Sequence, residues 1–240
     1  MLVRSSTAVT AFVLCLGLAC AATPTTAIAR SDEIAENAEP SHTVAEMADW
    51  VLGTGDNQNL PFAIIDKANA QIVVFDVHGQ MVGVTAALVG LAPGDDSAPG
   101  IGDRELSDMP PEERTTPAGR FVGGYGPATG GREVLWVDFS TAISLHPVVT
   151  TKPQEKRLER LESPAADDNR ITYGCINVAE VFYSDVVRPT FSGAGGVFYV
   201  LPDTKRLAEV FPGLGETALA SRGDPAMSGP SGPHHPSEWW

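Results

Sequence analysis

"FAIIDKANAQIVVFDVHGQMVGVTAAL", Phe62 to Leu88, decides the fold. It holds three apolar runs, Phe62 to Ile65, Ile72 to Phe75 and Met81 to Leu88, separated by "DKANAQ" and "VHGQ". Short runs rich in Val, Ile and Phe, broken by turn-forming residues, read as strands, so this stretch is expected to be an antiparallel meander. His78 falls in the second turn, where His-Gly is ordinary turn chemistry.

Working outward toward the N-terminus, "SHTVAEMADWVLGTG" from Ser41 places Val44, Met47, Ala48, Val51 and Leu52 on one helical face. Thr43 with Glu46 forms a capping box there, and the helix is expected to end near Gly53. "RSDEIAENAEP" before it is an acidic leader. On the other side, "VGLAPGDDSAPGIGDRELSDMPPEERTTPAGRF" reads as loop because of its glycines, prolines and acids. "GGYGPATGG" lacks the lysine and the following helix of a phosphate-binding loop and reads as connecting turns. Strands are expected at Val134 to Phe139 and Ala142 to His146. A charged insertion, Thr151 to Arg170, follows, with Leu158 and Leu161 on one face of a short helix. It is expected to act either as a mobile lid over a site or as a solvated decoration. "NVAEVFYSDVVRP" has helical spacing, with Asn177 as N-cap and Pro189 as terminator. A last strand, "GGVFYVLP", and a short helix, "TKRLAEVF", close the domain, and the polar stretch from Ser221 reads as a disordered tail. "RGD" at Arg222 to Asp224 and "HHPSEWW" at the end fit that tail without needing a ligand or a metal. The order is mainly β with short helices.

The N-terminus combines Arg4, an apolar run from Ala8 to Ala22 and "AIA" at Ala27 to Ala29. This reads as a secretory signal over residues 1–29, because the run is shorter than the ~20 residues that span a bilayer. A protein placed outside the cytoplasm, periplasmic or secreted, follows, with no membrane contact after cleavage. The formal net charge of −14 becomes −15 once Arg4 leaves, which disfavours nucleic acid and anionic membrane surfaces as partners. Of three cysteines, Cys15 and Cys20 leave with the signal. Cys175 then stands alone, so neither a disulfide framework nor a Cys-based zinc site is available. No motif calls for a metal, nucleotide or flavin.

A lone thiol in an oxidising compartment is either buried as a small apolar residue or kept for its chemistry. In "ITYGCINV", Ile171 to Val178, Gly174 allows a sharp turn and Cys175 is expected just before a helix. The amides of that helix would favour a thiolate and could hold an oxyanion. Both readings of Cys175 remain open on this segment alone. Its candidate base is His146, which ends a strand in "ISLHPVV" and is equally readable as a satisfied core histidine.

The order of a β-meander, "TPAGRF" at Thr116 to Phe121, a strand ending in histidine, and "TYGCIN" at Thr172 to Asn177 resembles the L,D-transpeptidase catalytic domain, also called YkuD-type. The resemblance spans Pro61 to about Leu201. It implies a β-sandwich-like catalytic fold over residues 59–212, preceded by leader and helix at 30–58 and followed by a tail at 213–240. It further implies that Cys175 is the nucleophile and His146 the general base. Gly174 and Cys175 would supply oxyanion amides, with Thr172, Tyr173 and Asn177 around them. The activity implied is acyl transfer from a peptidoglycan stem peptide, through a thioester on Cys175, to an amine acceptor. An L,D-carboxypeptidase or amidase-type hydrolase that uses water, and a non-catalytic wall-binding module, are the alternatives. Three departures stand out: Tyr173 replaces a histidine, Pro147 replaces a glycine after the base, and the insertion is extra.

Overall fold

The structure is a computed structural model that describes residues 39–128, 131 and 133–214. Residues 1–38, which hold the expected signal segment and the start of the expected leader, and residues 215–240 lie outside the described residues. No helix among those described is long and apolar enough to cross a membrane.

The protein is mainly β with short helices, as expected. The meander forms as read: β1 Phe62–Asp66, β2 Gln71–Phe75 and β3 Met81–Ala86 pair antiparallel. They continue into β4 Val89–Gly90, β5 Gly119–Pro127, β6 Glu133–Asp138 and β7 Ile143–Pro147. After the insertion come β8 Arg170–Thr172, β9 Ile176–Val178 and β10 Gly196–Val200. Eight strands make one sheet in the order β3-β2-β1-β10-β5-β6-β7-β9, while β4 and β8 pair apart. Leu88, just past β3, exchanges two backbone hydrogen bonds with Asn177 of β9, at 2.8 and 2.9 Å. The far edges of the sheet therefore meet, and the sheet is nearly closed. Such closure leaves few unpaired strand edges.

Alternation along β1, β2 and β10 supplies two cores. Ala63, Ile65, Ile72, Val74, Phe198 and Val200 face inward, against Leu145, Ile176 and the helix that carries Val187 and Phe191. Phe62, Ile64, Val73, Phe75, Val197 and Tyr199 face outward, under α1 His42–Thr54. Strands covered on both faces read as unbroken apolar runs, which is why Phe62 to Ile65 was legible. Leu214 is buried in the outer core.

Several local expectations are corrected. The N-cap of α1 is Ser41: its hydroxyl accepts from the Val44 amide at 3.2 Å and donates to buried Asp66 at 2.6 Å, leaving Thr43 inside the helix. "GGYGP", read as turns, belongs to β5, a strand of nine residues. Its glycines answer to packing, since a Cβ on Gly123 would lie 2.0 Å from the Trp136 carbonyl oxygen. In the insertion, α2 Arg157–Leu161 forms as expected. Asn177 is not a helix cap but the centre of β9, and α3 opens after Ala179 with Glu180–Phe182. Pro189 does not terminate α3 either. A π turn at Tyr183–Val187 absorbs the amide that proline lacks, and the helix runs on through Arg188–Phe191. α4, Leu207–Val210, is the short closing helix.

Candidate active site

Cys175 lies in the turn between β8 and β9, five residues before the first residue of α3, so the helix-terminus argument for its reactivity does not hold. What positions it is strand pairing. β7 and β9 run parallel, with Leu145 opposite Ile176 and His146 opposite Asn177. Leu145 and Ile176 point into the inner core. Because side chains alternate along a strand, Ser144, His146, Cys175 and Asn177 share the other face. Cys175 is a free, partly exposed thiol.

The contacts agree. Cys175 Sγ lies 3.5 Å from the Ser144 hydroxyl and 3.8 Å from the Ala142 carbonyl oxygen. His146 Nδ1 is 2.7 Å from the Pro147 carbonyl oxygen, and Nε2 is 3.0 Å from Nδ2 of Asn177. Burial pushes the Cys175 thiol up, but the adjoining His146 ring and the Ser144 hydroxyl and amide outweigh it, so the thiol titrates below its usual value. Burial pushes His146 down, yet Cys175 and the Pro147 carbonyl carry it above its usual value, against an opposing contribution from Arg157. Each group favours the charged form of the other, the condition for a thiolate-imidazolium pair.

Thr172 closes the turn: its hydroxyl donates to the Cys175 carbonyl at 2.7 Å and accepts from the Gly174 amide at 3.1 Å. The Gly174 amide is thereby engaged, so of the two oxyanion donors implied by the resemblance it is the one already occupied. Thr116 of "TPAGRF" reaches the same turn, donating to the Gly174 carbonyl at 2.7 Å and accepting from the Gly90 amide at 2.9 Å. Tyr173 stacks under the Arg114 guanidinium, 4.1 Å from its ring centre. Arg114 is anchored on the Met109 carbonyl.

Gly174 adopts φ +124°, and a Cβ there would sit 2.7 Å from Ile143 Cδ1 and 2.8 Å from the Thr115 carbonyl oxygen. Gly174→Ala is therefore expected to lower stability by roughly 1–3 kcal/mol through backbone strain and displacement of Ile143. It should also slow alkylation of Cys175. Thermal melts and iodoacetamide kinetics check both; a variant unchanged in the two would show that this backbone conformation does not position the Cys175 thiol.

Sequence reasoning brought Cys175, His146, Gly174, Thr172 and Asn177 to one place, with Tyr173 beside them. It missed Ser144, Thr116 as a brace, and Arg157, whose Nη1 donates to Asn177 Oδ1 at 2.9 Å. Arg157 also lines a pocket of about 200 Å³ with Lys152 and Lys156 of the insertion. Among the described residues no group of three His, Cys, Asp or Glu side chains is placed to hold a metal ion.

No protein-family model matches the chain, and no curated protein matches it. Solved structures similar to it include the NMR structure of an L,D-transpeptidase catalytic domain from E. faecium, at 13% identity and a TM-score of 0.31, covering 58% of this chain and 95% of that one. The helical cell shape determining protein Pgp2 from Campylobacter jejuni is similar at 11% identity and a TM-score of 0.40, covering 76% of this chain and 65% of that one. Both overlaps are loose, and the functional reading rests on this chain's own residues.

Proposed function

We propose that this chain is an exported cysteine acyltransferase that acts on peptidoglycan stem peptides as an L,D-transpeptidase. The observation that carries the proposal is the alignment of Cys175, Ser144 and His146 on one face of two paired strands, with thiol and imidazole each favouring the other's charged form. The order of "TPAGRF", His146 and "TYGCIN" supports the same chemistry, and the family resemblance it carries implies the substrate class.

In the proposed reaction His146 Nε2 exchanges its Asn177 contact for the thiol and takes the Sγ proton. Sγ attacks the amide carbonyl that follows an L-centre in the stem. The amide of Cys175 receives the developing oxyanion, since the Gly174 amide is bonded to Thr172. The C–N bond breaks, the imidazolium protonates the departing amine, and a thioester remains on Cys175. An acceptor amine then attacks the thioester, gives its proton to His146, and releases the thiolate.

Incubating the purified chain with muropeptides checks this directly. New cross-links are expected. Shortened stems without cross-links would replace transfer by hydrolysis on the same thioester, and unchanged muropeptides together with no carbapenem adduct on Cys175 would leave a wall-binding module.

A further inference from the structure

Arg157 lies outside both motif segments, yet it is the far end of a hydrogen-bonded chain that terminates on the base. Its Nε is paired with Glu155 at 2.6 Å, and its side chain is only 12% exposed. Its Nη1 donates to Asn177 Oδ1 at 2.9 Å, Asn177 Nδ2 faces His146 Nε2 at 3.0 Å, and His146 Nδ1 faces the Pro147 carbonyl at 2.7 Å.

Donor and acceptor chemistry fixes every proton in this chain. A guanidinium only donates, so the amide atom facing Arg157 is the oxygen and the NH2 group is turned to the imidazole. An NH2 group only donates, so Nε2 presents its lone pair. A carbonyl only accepts, so Nδ1 carries the hydrogen. Both ends of the chain independently require the same neutral tautomer.

We propose that Arg157 is a positioning residue for the base: through Asn177 it biases His146 toward the neutral Nδ1–H tautomer, and so holds back the charged pair that the meeting of Cys175 and His146 favours. The inference rests on the reading of Cys175 and His146 as nucleophile and base. A proton on Nε2 would confront the Asn177 NH2 group. Turning the amide over would relieve that contact but set the NH2 group against the guanidinium. Arg157 therefore opposes the imidazolium, in the same sense as the effect of its charge on His146. The ionisable groups bearing on the ring are Cys175 and Arg157, with Glu155 behind the latter. The insertion thus restrains the reactivity of a lone thiol that an oxidising compartment would otherwise attack.

The test is the pH dependence of iodoacetamide alkylation in the full purified chain. Arg157→Ala and Arg157→Gln are expected to speed alkylation about three- to tenfold near pH 6, the change that follows from losing one charge-assisted hydrogen bond. The alkaline plateau should not move, because the thiol is fully ionised there. Arg157→Lys, which still donates to Asn177, should restore the wild-type acid limb. Equal acceleration at every pH would mean looser packing and would overturn the proposal, as would an unchanged or slower acid limb. Nitrogen-15 shifts of His146 in the unmodified chain give a readout that needs no variant: an Nδ1–H neutral tautomer supports the proposal, and an Nε2–H tautomer overturns it. Wild-type Cys175 that reacts no faster than free cysteine, and is indifferent to His146→Ala, would sink the enzyme reading instead. The tautomer would still decide the role of Arg157.

Discussion

Cys175→Ser is expected to abolish acyl transfer while the chain stays folded. The substitution keeps the size class of the side chain and the neighbouring Ser144 hydroxyl, so neither core loses a member. What is lost is the low-pKa nucleophile, because a hydroxyl is almost entirely un-ionised at neutral pH. His146→Ala should remove about 10²- to 10⁴-fold in rate, the usual share of a positioned proton transfer. The pH dependence follows from the two shifts. Cys175 is lowered, so thiolate persists below the ~8.5 of an ordinary free thiol. His146 is raised, so its proton is lost only above its usual value. Between the two the charged pair is favoured, against the bias that Arg157 exerts through Asn177, and wild-type alkylation should extend further to the acid side than that of a free cysteine. His146→Ala should push the limb back toward the ordinary thiol range. Full activity in Cys175→Ser, measured on muropeptides with a mass check on the purified variant, would end the nucleophile assignment.

The parts of this architecture that were legible are those in which local pattern and tertiary burial agree. β1, β2 and β10 are apolar on both faces because both faces are covered, so composition alone marks them as strands. β5 was illegible because its glycines signal turns locally, whereas their reason lies in distant chain: Gly123 against the Trp136 carbonyl and Gly126 against the Trp136 ring. The segment after Cys175 was misread for a related cause. "NVAEVF" has helical spacing, but its first residues are claimed by pairing with β7 and by the bridge to Leu88. At the site, Thr172 to Asn177 were singled out because they form one contiguous motif, and His146 because the resemblance implies a histidine at the end of a strand. Ser144 and Arg157 were not, since they meet Cys175 and Asn177 across 31 and 20 residues through strand register and a folded insertion. Periodicity carries no information about such meetings.

Lys67 makes the same point with the largest expected effect on stability. In the sequence it is one polar residue of the "DKANAQ" turn; in the structure its side chain is 1% exposed. All three of its ammonium donors are used, on the Gly94 carbonyl at 2.5 Å, the Thr116 carbonyl at 2.8 Å and the Asp95 carboxylate at 3.0 Å. Asp95 in turn accepts from the amides of Asp203, Thr204 and Lys205 and from the Thr204 hydroxyl. Burial alone would raise the Asp95 carboxyl, but those donors hold it well below the usual carboxylate range. Arg170, at the start of β8, joins through Asp203 at 2.8 Å. The cluster thus ties the meander, the acidic loop, the C-terminal segment and Thr116, the brace of the nucleophile turn. Lys67→Met strands the two carbonyls and removes the cation facing the carboxylates of Asp95 and, at 3.5 Å, Asp203, so a loss of about 3–5 kcal/mol is expected. For a domain of this size that is a fall in Tm of roughly 6–20 °C. Breaking one partner of a buried pair costs more than removing both, so adding Asp95→Asn to Lys67→Met should cost less than the sum of the single changes. The sign of the pH effect is fixed by Asp95. Its folded pKa is depressed, so its contribution is present above the unfolded value near ~3.9 and is lost as pH falls toward the folded value. Wild-type melts should therefore hold through mild acid and fall below about pH 4, a fall that Asp95→Asn should blunt. A Lys67→Met chain that melts with the wild type would show that the ammonium does not hold these loops together.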